Sequence, residues 1–133
     1  MGSFSDYLED ELLDHVFMTG EYTQPTHLYI ALCTTTIEDD DTGDTLPGEA
    51  SGGSYARKVC DTWDASSSGA IANTGAVTFA QATAAWGLIT DFAIIDASTS
   101  GNMIAYGKLT TSKQVDSGDT LNFPIGDIDI TLT

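Results

Sequence analysis

The sequence predicts a mainly β protein, an antiparallel β-sandwich or barrel with one N-terminal amphipathic α-helix and a long acidic loop. From residue 27 onward, short runs rich in Ile, Val, Tyr, Phe and Thr alternate with Gly, Ser, Asp and Pro, which is the pattern of strands and turns. Before that point, apolar residues recur with the helical period. These residues are Phe4, Leu8, Leu12 and Val16, with Leu13 and Phe17 beside them.

The helix is predicted over residues 3–19. Ser3 or Ser5 can cap its start, because a serine hydroxyl accepts a hydrogen bond from a free backbone N–H of the first turn. Acidic residues near the start favour the positive end of the helix dipole. Gly20 is the predicted stop, since glycine readily leaves the helical conformation.

Seven short runs after the helix are predicted strands. They span residues 28–34, 55–60, 76–79, 88–96, 103–109, 120–123 and 127–132. No helical segment separates them, so we expect an antiparallel sandwich or barrel over residues 27–133 rather than a parallel sheet. The chain has 133 residues, which fits a single domain over 1–133.

Two segments are predicted to be long loops. Residues 35–54 hold six acidic residues and four glycines. We expect this acidic loop to be an exposed arm or to order only on a partner, because so polar a segment buries little apolar surface. Residues 64–75 are small and polar, and they are predicted to form a surface connection that tolerates substitution.

The charge of the chain restricts its partners. There are 20 acidic residues against 4 basic ones, which gives a formal net charge of −16. Nucleic acids and anionic membranes carry the same sign, so we expect neither as a partner. A basic protein surface fits this charge, although a saline habitat selects the same composition. No signal peptide or membrane span is predicted, which suggests synthesis in the cytoplasm of a host bacterium.

The acidic loop contains two patterns that are associated with chemistry. Asp41-Thr42-Gly43 has the sequence of the aspartic protease tripeptide, but further acids surround it, and a shared proton requires an apolar setting. Asp39, Asp41 and Asp44 could hold calcium, yet their register differs from that of an EF-hand. A solvated loop is favoured over both, a calcium site outside the EF-hand class stays open, and we predict no catalytic, metal or cofactor residues.

The remaining polar and aromatic residues favour structural roles. Cys33 and Cys60 are predicted to be buried free thiols, with a disulfide as the alternative. Six aromatic residues could line a sugar-binding platform, but core or subunit-interface positions are favoured. They are Trp63, Trp86, Phe79, Phe92, Tyr106 and Phe123. Residues with basic or imidazole side chains are predicted to be structural or to solubilise strand edges. These are His15, His27, Arg57, Lys58, Lys108 and Lys113.

Nearly the whole chain resembles a family of small virion proteins of tailed phages. The resemblance lies in "FSDYLEDELLDHVF", "LYIALCTT", "GGSYARKV" and the long stretch from "VTFAQATAAWG" to "DIDITL". Its most specific pieces are residues 53–57, Trp86-Gly87 with the hairpin that follows, and "VDSGDTL". Members are commonly labelled tail-fibre-like, and their relatives are similar to capsid decoration, or cement, proteins of siphophages. The family implies no catalytic residue.

The resemblance implies a structural protein without a cofactor. The first hypothesis is a cement protein on the capsid surface of the virion, which stabilises the mature head by bridging subunits of the phage major capsid protein. It is expected to be a homo-oligomer, with a trimer favoured. The alternatives are a tail or tail-fibre protein and a carbohydrate-binding module. The predicted partner interface comprises Asp39, Asp40, Asp41, Asp44, Trp63 and Trp86.

Overall fold

The computed structural model describes residues 2–132, and within them it confirms a mainly β fold with antiparallel sheets and one N-terminal helix. The elements in chain order are β1 (Gly2–Phe4), α1 (Asp6–Phe17), β2 (Tyr29–Cys33), β3 (Lys58–Val59), β4 (Ala70–Ala72), β5 (Val77–Thr78), β6 (Gly87–Ile95), β7 (Met103–Val115), β8 (Asn122–Phe123) and β9 (Asp129–Thr131).

The strands form one large sheet and one small sheet. The large sheet has the order β3-β2-β6-β7-β1-β9-β4, and the small sheet pairs β5 with β8. All pairs are antiparallel except β1 with β9, which run parallel. The long β6–β7 hairpin forms the centre of the large sheet, with β2 beside it. Each of these three strands, which are rich in apolar residues, has a hydrogen-bonded neighbouring strand on both sides.

Apolar side chains cover both faces of the large sheet. On β2, Ile30 and Leu32 belong to the main core, whereas Ala31 and Cys33 belong to a second, smaller cluster. Alternate residues of a strand point to opposite faces, so the two clusters lie on opposite sides of the sheet. The small sheet and α1 cover the main core. This two-sided burial explains why β2 and residues 92–95 of β6 are continuous apolar runs rather than alternating ones.

The helix is shorter than predicted at both ends. Residues 2–4 form β1 instead, because their backbone pairs with residues 105–107 of β7. Ser5, one of the two predicted candidates, is the N-cap of the helix. Its Oγ accepts a hydrogen bond from the Leu8 amide at 3.3 Å. The helix ends three residues before Gly20, at Phe17. No helix within residues 2–132 is long and apolar enough to cross a membrane.

Strand β7 continues well beyond the predicted end at residue 109. Its pairing with β6 is interrupted between the pairs Asp91↔Lys108 and Ile89↔Lys113. Between these pairs, Thr90 of β6 stands against residues 109–112 of β7, so the strand pairing is locally irregular. The exposed polar stretch 110–114 overlaps this irregularity and gave no apolar signal for a strand.

Segment 64–75 differs from the predicted surface connection. It contains β4, and Asn73 at its end is only 1% exposed. The Asn73 Nδ2 donates to Gly75 O at 2.8 Å and to Pro124 O at 3.1 Å, while Oδ1 accepts from Ile128 N at 2.9 Å. One polar side chain therefore ties this segment to the turn before β9, and the prediction that the whole segment tolerates substitution is wrong at Asn73.

Cys33 and Cys60 are buried free thiols, as the sequence predicts. They belong to the two different apolar clusters, and this separation prevents a disulfide between them. Burial raises the pKa of Cys33 to about 12 and that of Cys60 to about 11, so both thiols stay protonated at neutral pH.

Replacing Asn73 with alanine is expected to lower the free energy of unfolding by about 3 kcal/mol, because the buried Ile128 N–H loses its acceptor. Urea denaturation followed by tryptophan fluorescence measures the change. Thr74→Ala is the matched control, since Thr74 is the exposed neighbour of Asn73. Equal losses in the two variants would contradict the role of the Asn73 side chain.

Candidate interaction surface

The acidic loop, residues 35–54, is folded against the rest of the protein. Ile37 is 2% exposed and belongs to the smaller apolar cluster, and Leu46 packs on the same cluster. These few apolar residues cover the face of the sheet that α1 leaves open. The prediction of an exposed arm, or of a segment that orders only on a partner, is therefore corrected, because the loop also has a buried cation to fold around.

That cation is Arg57, whose side chain is 5% exposed. Its Nε and Nη2 donate to the two carboxylate oxygens of Glu49 at 2.7 and 2.9 Å. Its Nη1 donates to Ala97 O and Ser100 O, and its Nη2 also donates to Gly43 O at 2.8 Å. The hydrogen bond with Glu49 raises the pKa of Arg57, so the guanidinium stays charged.

Arg57 thus joins the acidic loop to the turn of the β6–β7 hairpin. Gly43 completes this contact, since its amide donates to Gly101 O at 2.9 Å. A Cβ atom at Gly43 would lie 2.1 Å from Ser100 O, so a side chain does not fit there without movement of the backbone. The sequence prediction placed Arg57 among edge-solubilising residues. Arg57 is the only arginine in a chain with 20 acidic residues, and this was the signal in the sequence for a different role.

The four predicted interface acids differ in exposure. Asp39, Asp40 and Asp44 are exposed, whereas Asp41 is half-buried and its Oδ2 accepts from the Glu38 amide at 2.8 Å. Their docking role stays a prediction, and the structure makes Asp41 the least accessible of the four.

Asp39 lies next to the start of α1. The Asp39 carbonyl accepts a hydrogen bond from the Asp6 amide at 3.0 Å. Repulsion from Asp39, with smaller contributions from burial and from the carboxylates of Asp40 and Asp10, raises the pKa of the Asp6 carboxyl. The start of the helix and the tip of the acidic loop therefore form one continuous acidic surface.

The two predicted interface tryptophans have different positions. Trp86 is 6% exposed, contacts the rings of Tyr55 and Phe79 edge-on, and donates from Nε1 to Gly53 O at 3.0 Å. It is a core residue that neither a partner nor a sugar can reach in the folded protein. Trp63 is half-buried and donates to Cys60 O. These two side chains do not form a shared platform.

The polar groups that could support chemistry have structural partners. Asp91 is 1% exposed and accepts from Thr90 Oγ1 at 2.7 Å and from Lys108 Nζ at 3.4 Å. His27 Nδ1 lies 2.6 Å from Asp61 Oδ2, and this hydrogen bond lowers the pKa of Asp61. In the described part of the chain, no group of three or more His, Cys, Asp or Glu side chains is arranged to hold a metal ion.

A groove of about 690 Å³ lies between the second half of β7 and the segment that contains β8. We call it the β7 groove. Residues 108–115 form one wall and residues 119–123 form the other, with Phe92 among the lining residues. It contains no histidine or cysteine. Two lysines, Lys108 and Lys113, lie on the β7 side.

Arg57→Ala is expected to destabilise the protein by about 3 kcal/mol, because Glu49 then loses its buried partner and three carbonyls lose a donor. Hydrogen exchange of the Gly43 amide should also accelerate. Chemical denaturation and exchange measurements test both effects. Lys58→Ala removes the neighbouring, exposed cation as the control. If this control behaved like Arg57→Ala, loss of net charge rather than the contact would explain the result.

Asp39→Asn is expected to move the pKa of Asp6 down toward its ordinary value of 3.8, because the repulsion from Asp39 is the largest cause of the increase. Carboxyl NMR titration measures it. Asp44→Asn is the control, since Asp44 does not contribute to the shift. An unchanged Asp6 titration in Asp39→Asn would contradict the proximity of the helix start and the loop.

The comparison with protein families gives one match, and it covers nearly the whole described fold. The model of the Gp80 family, described as podophage GP4 fiber I protein gp80, matches residues 3–131. A comparison with curated proteins found no match. The match supports the predicted resemblance to phage virion proteins and favours the tail-fibre alternative over the capsid cement hypothesis. The chain belongs to the Gp80 family and is a structural component of a phage virion fibre.

Proposed function

We propose that this protein is a rigid, non-catalytic module of a tail fibre, present in a small number of copies per virion. The observation that carries the proposal is the match of residues 3–131 to a fibre protein family. Since the match extends from β1 to β9, it concerns the whole fold rather than one exchangeable segment.

The internal contacts support a rigid role. A fibre component transmits force between neighbouring subunits, so it benefits from a body that does not deform. The half of the β6–β7 hairpin that lies next to its turn, residues 91–95 and 103–107, is packed on both faces, and the turn is fixed by Arg57. Every buried side-chain nitrogen or oxygen in the described structure has a hydrogen-bond partner. These groups therefore gain little from a different packing of the core.

The capsid cement hypothesis has less support than the fibre assignment. It rested on a resemblance to capsid decoration proteins, whereas the family match is to a fibre protein. The major capsid protein as a partner stays a prediction. The carbohydrate-binding alternative is weakened because Trp86, Phe79, Phe92 and Phe123 are buried. Trp63 and Tyr106 are the predicted platform residues with partial exposure.

Quantitative mass spectrometry of purified virions tests the fibre assignment. We expect a molar ratio to the major capsid protein far below one, because a virion carries few fibres and many capsid subunits. A known tail protein and the major capsid protein of the same particles calibrate the two extremes. A near-stoichiometric ratio would contradict the proposal and restore the cement hypothesis.

Immunoelectron microscopy gives the location independently of copy number. An antibody against the native protein is expected to label the tail end of the particle. Label distributed over the head would contradict the fibre assignment. A phage that lacks the gene serves as the control for antibody specificity.

A further inference from the structure

The second half of α1 extends beyond the part of the protein on which its first half packs. Leu8 is buried and Leu12 is half-buried against the main core, whereas every residue from 13 to 20 is exposed. The helix nevertheless stays regular to its end, where the Met18 amide donates to Asp14 O at 3.0 Å. The last turns of α1 therefore form an ordered projection that residues 2–132 leave uncovered.

This projection exposes an apolar surface. Leu13, Val16, Phe17 and Met18 are 55%, 66%, 78% and 70% exposed, and they account for half of the large apolar residues that are exposed within residues 2–132. We call these four residues the α1 patch. Exposed apolar side chains that are concentrated at one place are typical of a protein interface.

Acidic side chains lie on the same side of the helix, closer to its start. Glu9 precedes Leu13 by four positions and Val16 by seven. Asp10 precedes Leu13 by three positions and Phe17 by seven, and both acids are exposed. Residues at these spacings share one side of an α-helix. The outer side of α1 is therefore acidic in its first half and apolar in its second half.

The acidic half is continuous with the acidic loop. Asp6, at the start of the same side, donates from its amide to the carbonyl of Asp39, whose own side chain is exposed. The centre of the acidic half lies near residue 8 and that of the apolar half near residue 15. At a rise of about 1.5 Å per residue, the two centres are about 10 Å apart. The surface thus combines a negative region and an apolar region at a defined distance.

These two regions specify the chemistry of a partner. A complementary surface presents an apolar site together with a group of lysine or arginine side chains, about 10 Å from it. Nucleic acids and anionic membranes are repelled by the acidic half because they carry the same sign of charge. A partner with an apolar site alone would remove carboxylates from water without compensation. The fitting partner is therefore a protein surface that is both basic and apolar.

A second copy of this chain does not provide such a surface. Of its four basic residues, Arg57 has a buried side chain, and Lys108 Nζ lies 3.4 Å from a carboxylate oxygen of Asp91. The other two, Lys58 and Lys113, are single cations on β3 and β7, which have two strands between them. Pairing of two α1 helices would place carboxylates against carboxylates or against apolar side chains.

We propose that the outer side of α1 docks in a basic groove of a different virion protein, where Phe17 fills an apolar pocket and Glu9 and Asp10 contact lysine or arginine side chains. An α-helix that binds a groove through residues three, four and seven positions apart is a common mode of recognition. The proposal rests on membership of the virion. It does not depend on where the protein lies in the particle or on how many copies are present.

Photo-crosslinking in assembled particles tests the contact. The photoreactive amino acid p-benzoylphenylalanine replaces Phe17, or Met18 as a second position, and purified virions are irradiated. We expect an adduct with another virion protein, in a segment that carries at least two lysines or arginines. Ile125 is the control position, because it is 67% exposed and lies outside α1, and it is expected not to form this adduct. Peptide mass spectrometry identifies the joined segments.

The possible results decide the proposal. It would be overturned by the absence of an adduct from both positions, by an adduct with a second copy of this chain, or by an adduct with a segment that lacks basic residues. Sedimentation velocity of the purified protein is an independent check. Self-association that Phe17→Ser abolishes would indicate that a second copy covers the α1 patch.

Binding of the purified protein to the crosslinked partner measures each half of the surface. Phe17→Ser removes the apolar anchor and Asp10→Lys reverses a charge of the acidic half. Each is expected to raise the dissociation constant at least about tenfold at low salt. Circular dichroism melts check that both variants fold, which we expect because both side chains are exposed.

The turn before β9 offers matched controls. Ile125→Ser and Asp127→Lys make the same kinds of change at exposed positions outside α1, and both are expected to bind like wild type. If Asp127→Lys weakened binding as much as Asp10→Lys, net charge rather than the outer side of α1 would determine the affinity, and the proposal would be wrong. Such a failure would leave the fibre assignment intact, since copy number and location in the virion decide that assignment.

Discussion

The paired charges of Arg57 and Glu49 hold together parts of the chain that have little other reason to meet. The arginine reaches the acidic loop through Glu49 and Gly43, and it reaches the hairpin turn through Ala97 and Ser100. A guanidinium has five donors in a fixed plane, so it can satisfy one carboxylate and several carbonyls at once. A lysine at this position would provide one point of charge and could not replace this geometry.

Fixing the loop has consequences for the core. With the loop in place, Ile37 and Leu46 cover the second face of the sheet, and Ala93 and Ile95 of β6 become buried there. The central strands are therefore shielded on both sides, although residues 2–132 form only one helix and one small second sheet. Four acidic residues of the same loop remain exposed at the surface, namely Glu38, Asp39, Asp40 and Asp44. One segment thus contributes both to the core and to the charge of the exterior.

A protein of this composition interacts through selected surfaces. A net charge of −16 keeps most of the exterior hydrated and repels other copies, so a tight contact requires a local exception. The exposed end of α1 is such an exception, because it is apolar where the rest of the helix surface is acidic. In a fibre, identical or related subunits meet repeatedly. Contacts that are restricted to a few surfaces then fix how neighbouring subunits align.

The sequence by itself determined the fold class, the N-terminal helix, the main strands and the burial of both cysteines, because these follow from local period and composition. It also carried the family resemblance. It could not determine β1 or β4, since short strands of three residues exist only through their partners far along the chain. The order of the acidic loop, the core position of Trp86 and the role of Arg57 were likewise decided by tertiary structure. Each depends on which distant backbone or side-chain group lies within hydrogen-bond distance, and no local pattern of residues encodes that distance.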